Sequence, residues 1–287
     1  MTTATLASKT ETLEITPLEP TIGAEVSGVD LKKPLSPAQR DRLKALLLQY
    51  KVLFFRDQHL SREQQVAFAR HFGELYVHPT SKQPDERFPE VHQIIASEAR
   101  ARYGDALRGR WHSDTSWLLE PTYGAVLRPL DLPPAGGDTI WADSGLVYRG
   151  LPDDVKARID DLYVVHNFKP SLDAVGFDYP LVSHPLVRTH PETGEDVLFI
   201  NFSMFPYILG WSPEESRELV DYLLKEFSTP EYHVRFKWRE GSLAFWDNRS
   251  SLHYPVHNYG DYPRVMERVL IADDDIPHRF RKAARAG

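Results

Sequence analysis

The chain has 287 residues, no cysteine, 41% hydrophobic residues and a formal net charge of −7. Without cysteine there are no disulfides, no thiolate metal sites and no cysteine nucleophile, which leaves His, Asp and Glu as the strong ligands for a metal. The acidic balance argues against a nucleic-acid partner, because phosphate binding needs a basic face, and no apolar run is long enough to span a membrane.

The polar, Thr-rich start (residues 1–13) reads as a disordered tail without the apolar core of a secretion signal, so a cytoplasmic protein is expected. Residues 14–276 read as a single domain and 277–287 as a frayed basic tail. The segment 14–31 alternates apolar residues with Gly and Pro, as strands and turns do. Ser36 followed by Pro37 predicts the start of a helix, and KVLFF (51–55) a short buried strand. Ser61 and Gln64 stand in capping-box spacing and open a helix that closes on Gly73. Further helices are predicted over 152–162 and over 212–227, the latter with Ser212 and Glu215 in the same spacing. Between them TYGAVLRPL, DTIWAD, DVLFINFSMF, HVRFKW, SLAFWD and RVMERVLIA alternate with period two. The pattern predicts a jelly roll or other β-sandwich with helices packed outside. The acidic run 273–275 reads as a solvated turn.

The chemistry concentrates in WHSDTSW (111–117). On a strand, side chains two apart share a face, so His112 and Asp114 can project together. An imidazole and a carboxylate make two legs of a metal site; a second histidine would complete a face that leaves three positions open, as in non-haem Fe(II) oxygenases. Structural zinc favours a closed tetrahedral set, often with thiolates, and the chain has none. His253 is the leading third leg and His257 its rival. His71, at a helix end, reads as a surface or capping group, and His166, His184 and His190 read as hydrogen-bonded structural groups. Arg264 and Arg268 follow on one β segment and can face one side, where an arginine can hold a carboxylate by a two-pronged contact.

Taken together, WHSDTSW, PPAGGDTIWAD, WDNRSSLHY and PRVMERVLI resemble the TauD/TfdA family of Fe(II)- and 2-oxoglutarate-dependent dioxygenases, in order and spacing from about residue 15 to about residue 275. The resemblance implies a mainly β fold with flanking helices, the double-stranded β-helix form of jelly roll. It implies that His112, Asp114 and His253 hold the catalytic iron, that Thr139 contacts 2-oxoglutarate, and that Arg264 grips its far carboxylate. The reaction implied consumes O2 and 2-oxoglutarate, releases succinate and CO2, and oxidises a C–H bond of a small organic substrate, most simply by hydroxylation.

For the substrate the resemblance points two ways. In relatives that oxidise taurine, a His-Pro pair approaches the sulfonate, and His78 and Pro79 stand in that place, with Arg268 as a second anion contact. Ser81 replaces the tyrosine of those relatives, Arg108 stands where they carry asparagine, and the lid segment 173–182 is short. Trp117, Phe168, Leu172, Met204, Phe205 and Tyr207 would wall a wide, apolar mouth. These features favour a larger, partly apolar acid or natural product, with a taurine-like sulfonate or alkyl sulfate ester as the alternative. A catalytically inactive jelly-roll binding protein is the reading from another class. A homo-oligomer is expected, with a small molecule as the remaining partner.

Overall fold

The computed structural model describes residues 13–80, 85–95 and 111–280. The first half of the chain forms β1 (Glu14–Pro17), β2 (Ala24–Ser27), α1 (Pro37–Tyr50), β3 (Val52–Phe55), α2 (Arg62–Arg70), β4 (Leu75–Tyr76), β5 (Val91–Ile95), β6 (Gly124–Asp131) and β7 (Thr139–Asp143). Then come α3 (Ser144–Gly150), α4 (Asp153–Ile159), β8 (Tyr163–Val165), α5 (Lys169–Asp173), β9 (Ser183–Pro185), β10 (Val187–Thr189), β11 (Asp196–Leu198) and β12 (Tyr207–Ile208). The last elements are α6 (Pro213–Phe227), β13 (His233–Phe236), β14 (Leu243–Asp247), β15 (Ser251–Pro255) and β16 (Val265–Ile271).

The predicted helix starts hold because side chains satisfy the first free amides. Ser36, Ser61 and Ser212 each accept from the amide three residues on, and Gln39, Gln64 and Glu215 reach back. α2 stops at Arg70, short of Gly73.

The larger sheet runs β1-β2-β3-β14-β6-β16-β4, with β5 also paired to β16. Facing it is β13-β7-β15. Strand alternation shows why the larger sheet is apolar on both faces. Leu53, Phe55, Val126, Phe245 and Val269 turn toward Leu43, Leu46 and Leu47 of α1 and Val66 and Phe68 of α2. Val52, Phe54, Ala125, Ala244, Trp246 and Met266 turn inward against Trp141, Val234 and Phe236 of the second sheet. The result is a jelly roll, mainly β with flanking helices. A third apolar cluster joins α6 to α3, β8 and β10.

Four expectations are corrected. The strand predicted over 196–205 ends at Leu198, because Asn201 Oδ1 accepts from the Ser203 amide (3.0 Å) and caps a 3-10 turn, Phe202–Met204. Two short helices, α3 and α5, stand where none was expected. Asp273 and Asp275 do not form a free solvated turn; they lie 3.8 and 2.9 Å from the buried Arg249 and Arg188. The segment expected as a frayed tail begins tied down: the Thr189 amide donates to His278 O (2.8 Å), and Arg279 Nε to Asp160 (3.0 Å). Among the described residues no helix is long and apolar enough to cross a membrane.

Candidate active site

His112 and His253 meet through their backbones. His112 N donates to His253 O (3.0 Å) and His253 N to His112 O (2.8 Å), an antiparallel bridge outside any longer ladder at residue 112. The two imidazole centroids lie 4.0 Å apart. Asp114 is not on a strand, contrary to the sequence expectation. The chain turns after it, with Thr115 in the left-handed region (φ 52°), an uncommon place for a β-branched residue. Thr122 holds that turn: its amide donates to Thr115 Oγ1 (2.9 Å), and the two hydroxyls lie 2.8 Å apart. His112, Asp114 and His253 each offer a ligand atom, all within 4.8 Å of one another.

Asn248 fixes this segment from behind. Its Oδ1 accepts from the Asp114 amide (3.3 Å) and from Trp246 Nε1 (2.9 Å), and its carbonyl accepts from Ser113 Oγ (2.9 Å). Asn201 Nδ2 donates to Ser113 O (2.8 Å). The donor set suits a cation. Asp114 Oδ2 and His253 Nδ1 are buried without a hydrogen-bond partner among the described residues, which is costly unless something else pairs them. Burial holds His253 well below its ordinary pKa, with His112 and Arg268 acting the same way, so its imidazole is neutral and free to bind a metal. Arg268 Nη1 contacts the other Asp114 oxygen.

These groups open onto a cavity of about 690 Å³. Thr139, at the start of β7, and Arg264, just before β16, form part of its wall. Arg264 is 6% exposed. Its Nε donates to Gly137 O (2.9 Å), and its Nη2 lies 3.4 Å from Thr139 Oγ1, which also accepts from Trp238 Nε1 (2.9 Å). Gly137 has φ 72°, and a Cβ there would stand 3.1 Å from Arg264 Cδ, so glycine permits the approach. Burial lowers the Arg264 pKa. No carboxylate among the described residues forms an ion pair with it.

His78, Trp117, Met204 and Arg268 also line the cavity. Three other residues predicted to wall the mouth do not. Leu172 packs in a buried cluster with Trp117, Leu118 and Met204. Phe205, which follows the 3-10 turn in the left-handed region (φ 46°), is 58% exposed and lies outside the lining. Tyr207 is likewise exposed and off the cavity. Arg108 and Ser81 lie outside the described residues. The short lid packs onto the wall: Tyr179 stands edge-on to Trp117 at 5.1 Å and accepts from the Leu119 amide. His257 lies 3.1 Å from the Tyr259 hydroxyl and is not part of the ligand cluster. His166, His184 and His190 bond to Ser116, Leu118 O and Asp247, and His71 accepts from the Leu35 amide. Sequence reasoning missed β5, which brings His92, Gln93, Ile94 and Ile95 to the cavity. The short β-branched run VHQII was the signal for a strand; the pairing with β16 that places His92 opposite Arg268 is seen only in the structure.

A jelly roll carrying two histidines and one carboxylate around an open cavity is the arrangement of non-haem iron oxygenases. The chain belongs to the TauD/TfdA family: the family model for taurine catabolism dioxygenase TauD, TfdA family, matches residues 14–270. It is 32% identical to an alpha-ketoglutarate-dependent sulfate ester dioxygenase of Pseudomonas putida, over 96% of this chain and 95% of that one. It is also 32% identical to an alpha-ketoglutarate-dependent 2,4-dichlorophenoxyacetate dioxygenase of Cupriavidus pinatubonensis, over 91% of this chain and 98% of that one. Among solved structures, a putative alpha-ketoglutarate-dependent taurine dioxygenase from Burkholderia xenovorans superposes with a TM-score of 0.81 at 37% identity, covering 93% of this chain and 94% of the other.

Proposed function

We propose that the protein is an Fe(II)- and 2-oxoglutarate-dependent dioxygenase that hydroxylates a C–H bond of a small organic anion with an apolar body. The observation that carries this reading is the convergence of His112, Asp114 and His253 on one point beside a cavity that also holds Arg264. The three side chains would hold the iron, and Arg264 with Thr139 the far carboxylate of 2-oxoglutarate. Bound iron, with 2-oxoglutarate and O2, supplies the oxidising power, and the keto acid leaves as succinate and CO2. Asn248 keeps the Asp114 segment in place through its backbone. Arg264 offers a guanidinium whose protein partners are a carbonyl and a hydroxyl, so an incoming carboxylate supplies the counter-charge it lacks. Trp117, Phe168 and Met204 exclude water from the reacting end and contact the apolar part of the substrate.

The substrate class follows from the wall. His78 and Arg268 supply polar contacts for an anionic head, while Ile94, Leu127 and Met266 beside the aromatic residues suit an apolar body. An aryloxy or other apolar carboxylic acid fits this description. An alkyl sulfate ester or sulfonate is the second reading, supported by the position of His78 and by the similarity to the sulfate ester enzyme. A cytoplasmic homo-oligomer belongs to the same proposal, and light scattering tests the oligomeric state. The activity is tested by adding Fe(II) and 2-oxoglutarate without air, which should produce a visible charge-transfer band. In air, succinate release should rise with one member of a panel of aryloxy acids, alkyl sulfates, terpenoid acids and taurine. No band from a folded protein would refute the reading.

A further inference from the structure

His92 lies on β5 directly opposite Arg268 of β16, and its Nδ1 is 3.3 Å from Arg268 Nη2. A guanidinium has donors only, so this ring nitrogen is the acceptor and carries no proton. His78 is fixed in the same way: its Nδ1 accepts from the Thr80 amide at 3.2 Å. Each ring is therefore neutral, with its proton on Nε2. Burial works in the same direction, holding His78 down at about 3 and His92 well below its ordinary value. The rings stand 5.6 Å apart, centroid to centroid, and both line the cavity. The only permanent cations among the described lining residues are Arg268, beside them, and Arg264, beside Thr139.

We propose that His92 is a specificity-determining residue: with His78 and Arg268 it forms a subsite of two uncharged donors and one cation that accepts the head of a singly charged organic oxyanion and rejects a dianion of the same shape. The inference rests on the proposed activity in taking this cavity as the substrate site. His92 and the charge count go beyond the contacts that the family resemblance implies. A sulfate monoester, a sulfonate and a carboxylate each bring one charge, to be met by Arg268 Nε, which is buried without a partner among the described residues while Nη1 and Nη2 are taken by Asp114 and His92. A phosphate monoester brings nearly two at neutral pH. Its second charge would face neutral imidazoles and lie toward Asp114, which already contacts Arg268, an arrangement that selects against it.

The test is calorimetric titration of the purified full chain with hexyl sulfate, heptanoate and hexyl phosphate at about pH 7.5, where the phosphate is mostly a dianion. The expected result is that hexyl sulfate, heptanoate or both bind at least ~100-fold more tightly than hexyl phosphate. Losing one hydrogen bond to a charged group, His92→Phe should weaken the favoured monoanion by ~10-fold or more while leaving 2-oxoglutarate affinity unchanged. His92→Lys, which adds a cation and is readable even where the Phe variant does not fold, should raise hexyl phosphate affinity and narrow the ratio. The sulfate and carboxylate arms separate the two head groups. Hexyl phosphate binding within ~3-fold of both monoanions, or no binding of either monoanion, would overturn the inference. So would a folded His92→Phe variant with unchanged selectivity and affinity. The charge-transfer band reports the enzymatic reading separately: a band without anion selectivity removes only this inference, and selectivity without a band removes only the other.

Discussion

Replacing Arg264 with methionine should weaken 2-oxoglutarate binding without lowering the stability of the chain alone. Met has nearly the reach of Arg without its charge, so packing against Gly137 is kept. A guanidinium has five donors, of which Nε is engaged by Gly137 O at 2.9 Å and one Nη2 hydrogen by the longer 3.4 Å contact to Thr139. The remaining donors can make two charge-assisted bonds to a carboxylate, each contributing about 1.5–3 kcal/mol. Their sum of about 3–6 kcal/mol corresponds to a loss of 2-oxoglutarate affinity of ~100-fold to ~10,000-fold. Stability without the keto acid behaves differently. The variant loses the bond to Gly137, about 1 kcal/mol, but no longer buries a cation that has no anionic partner among the described residues. The melting temperature of the chain alone should therefore stay level or rise by a few degrees. Anaerobic titration of the charge-transfer band measures the affinity, and a thermal melt without ligand measures the stability. Unchanged 2-oxoglutarate affinity, or a melt lowered by more than ~8 °C, would show that Arg264 is a structural residue and refute the reasoning.

Asn248→Ala should weaken metal binding by ~10–100-fold, measured by Fe(II) or Co(II) titration, because it releases the Asp114 amide and Trp246 Nε1. Phe205→Ser should leave the KM of the best substrate within ~2-fold, since the residue is exposed and off the cavity; a large KM rise would place it in the site after all. Acid should destabilise the fold through buried histidines. Burial lowers His184 from its ordinary 6.5 to about 4, so between those values the unfolded chain binds the extra proton. Its contribution is complete above about pH 6.5 and is lost as pH falls toward 4, by up to ~1.4 kcal/mol per pH unit. Urea unfolding from pH 7 to pH 5 should show at least that slope, since His78, His92, His166 and His253 are lowered by burial as well, and His184→Phe should reduce it by up to ~1.4 kcal/mol per pH unit.

Much of the fold was legible because local rules and tertiary packing agree. Ser36, Ser61 and Ser212 announce their helices through side-chain caps, and the strand alternation of β3, β6, β14 and β16 matches the two faces they bury. Legibility failed where a side chain competed with the backbone pattern. Asn201 ends an apolar run that looked like one long strand, and α5 is too short to show a helical period. The ligand cluster was readable as residue types, but the reason its members meet is a backbone bridge and a left-handed turn at Thr115 that spacing does not encode. His92 escaped notice because its role exists only through cross-strand register with Arg268, and nothing in the spacing shows that Phe205, just after the 3-10 turn, stands exposed and off the cavity.

The reciprocal peptide bonds between His112 and His253 set the spacing of the two imidazoles through main-chain geometry. Side-chain identity elsewhere on the wall does not enter that spacing. Substitutions on β5, in the 3-10 turn before Phe205 or around Trp117 can therefore recast what the cavity accepts and leave the two imidazoles undisturbed. Such a separation lets one scaffold acquire new substrates by changing its lining alone.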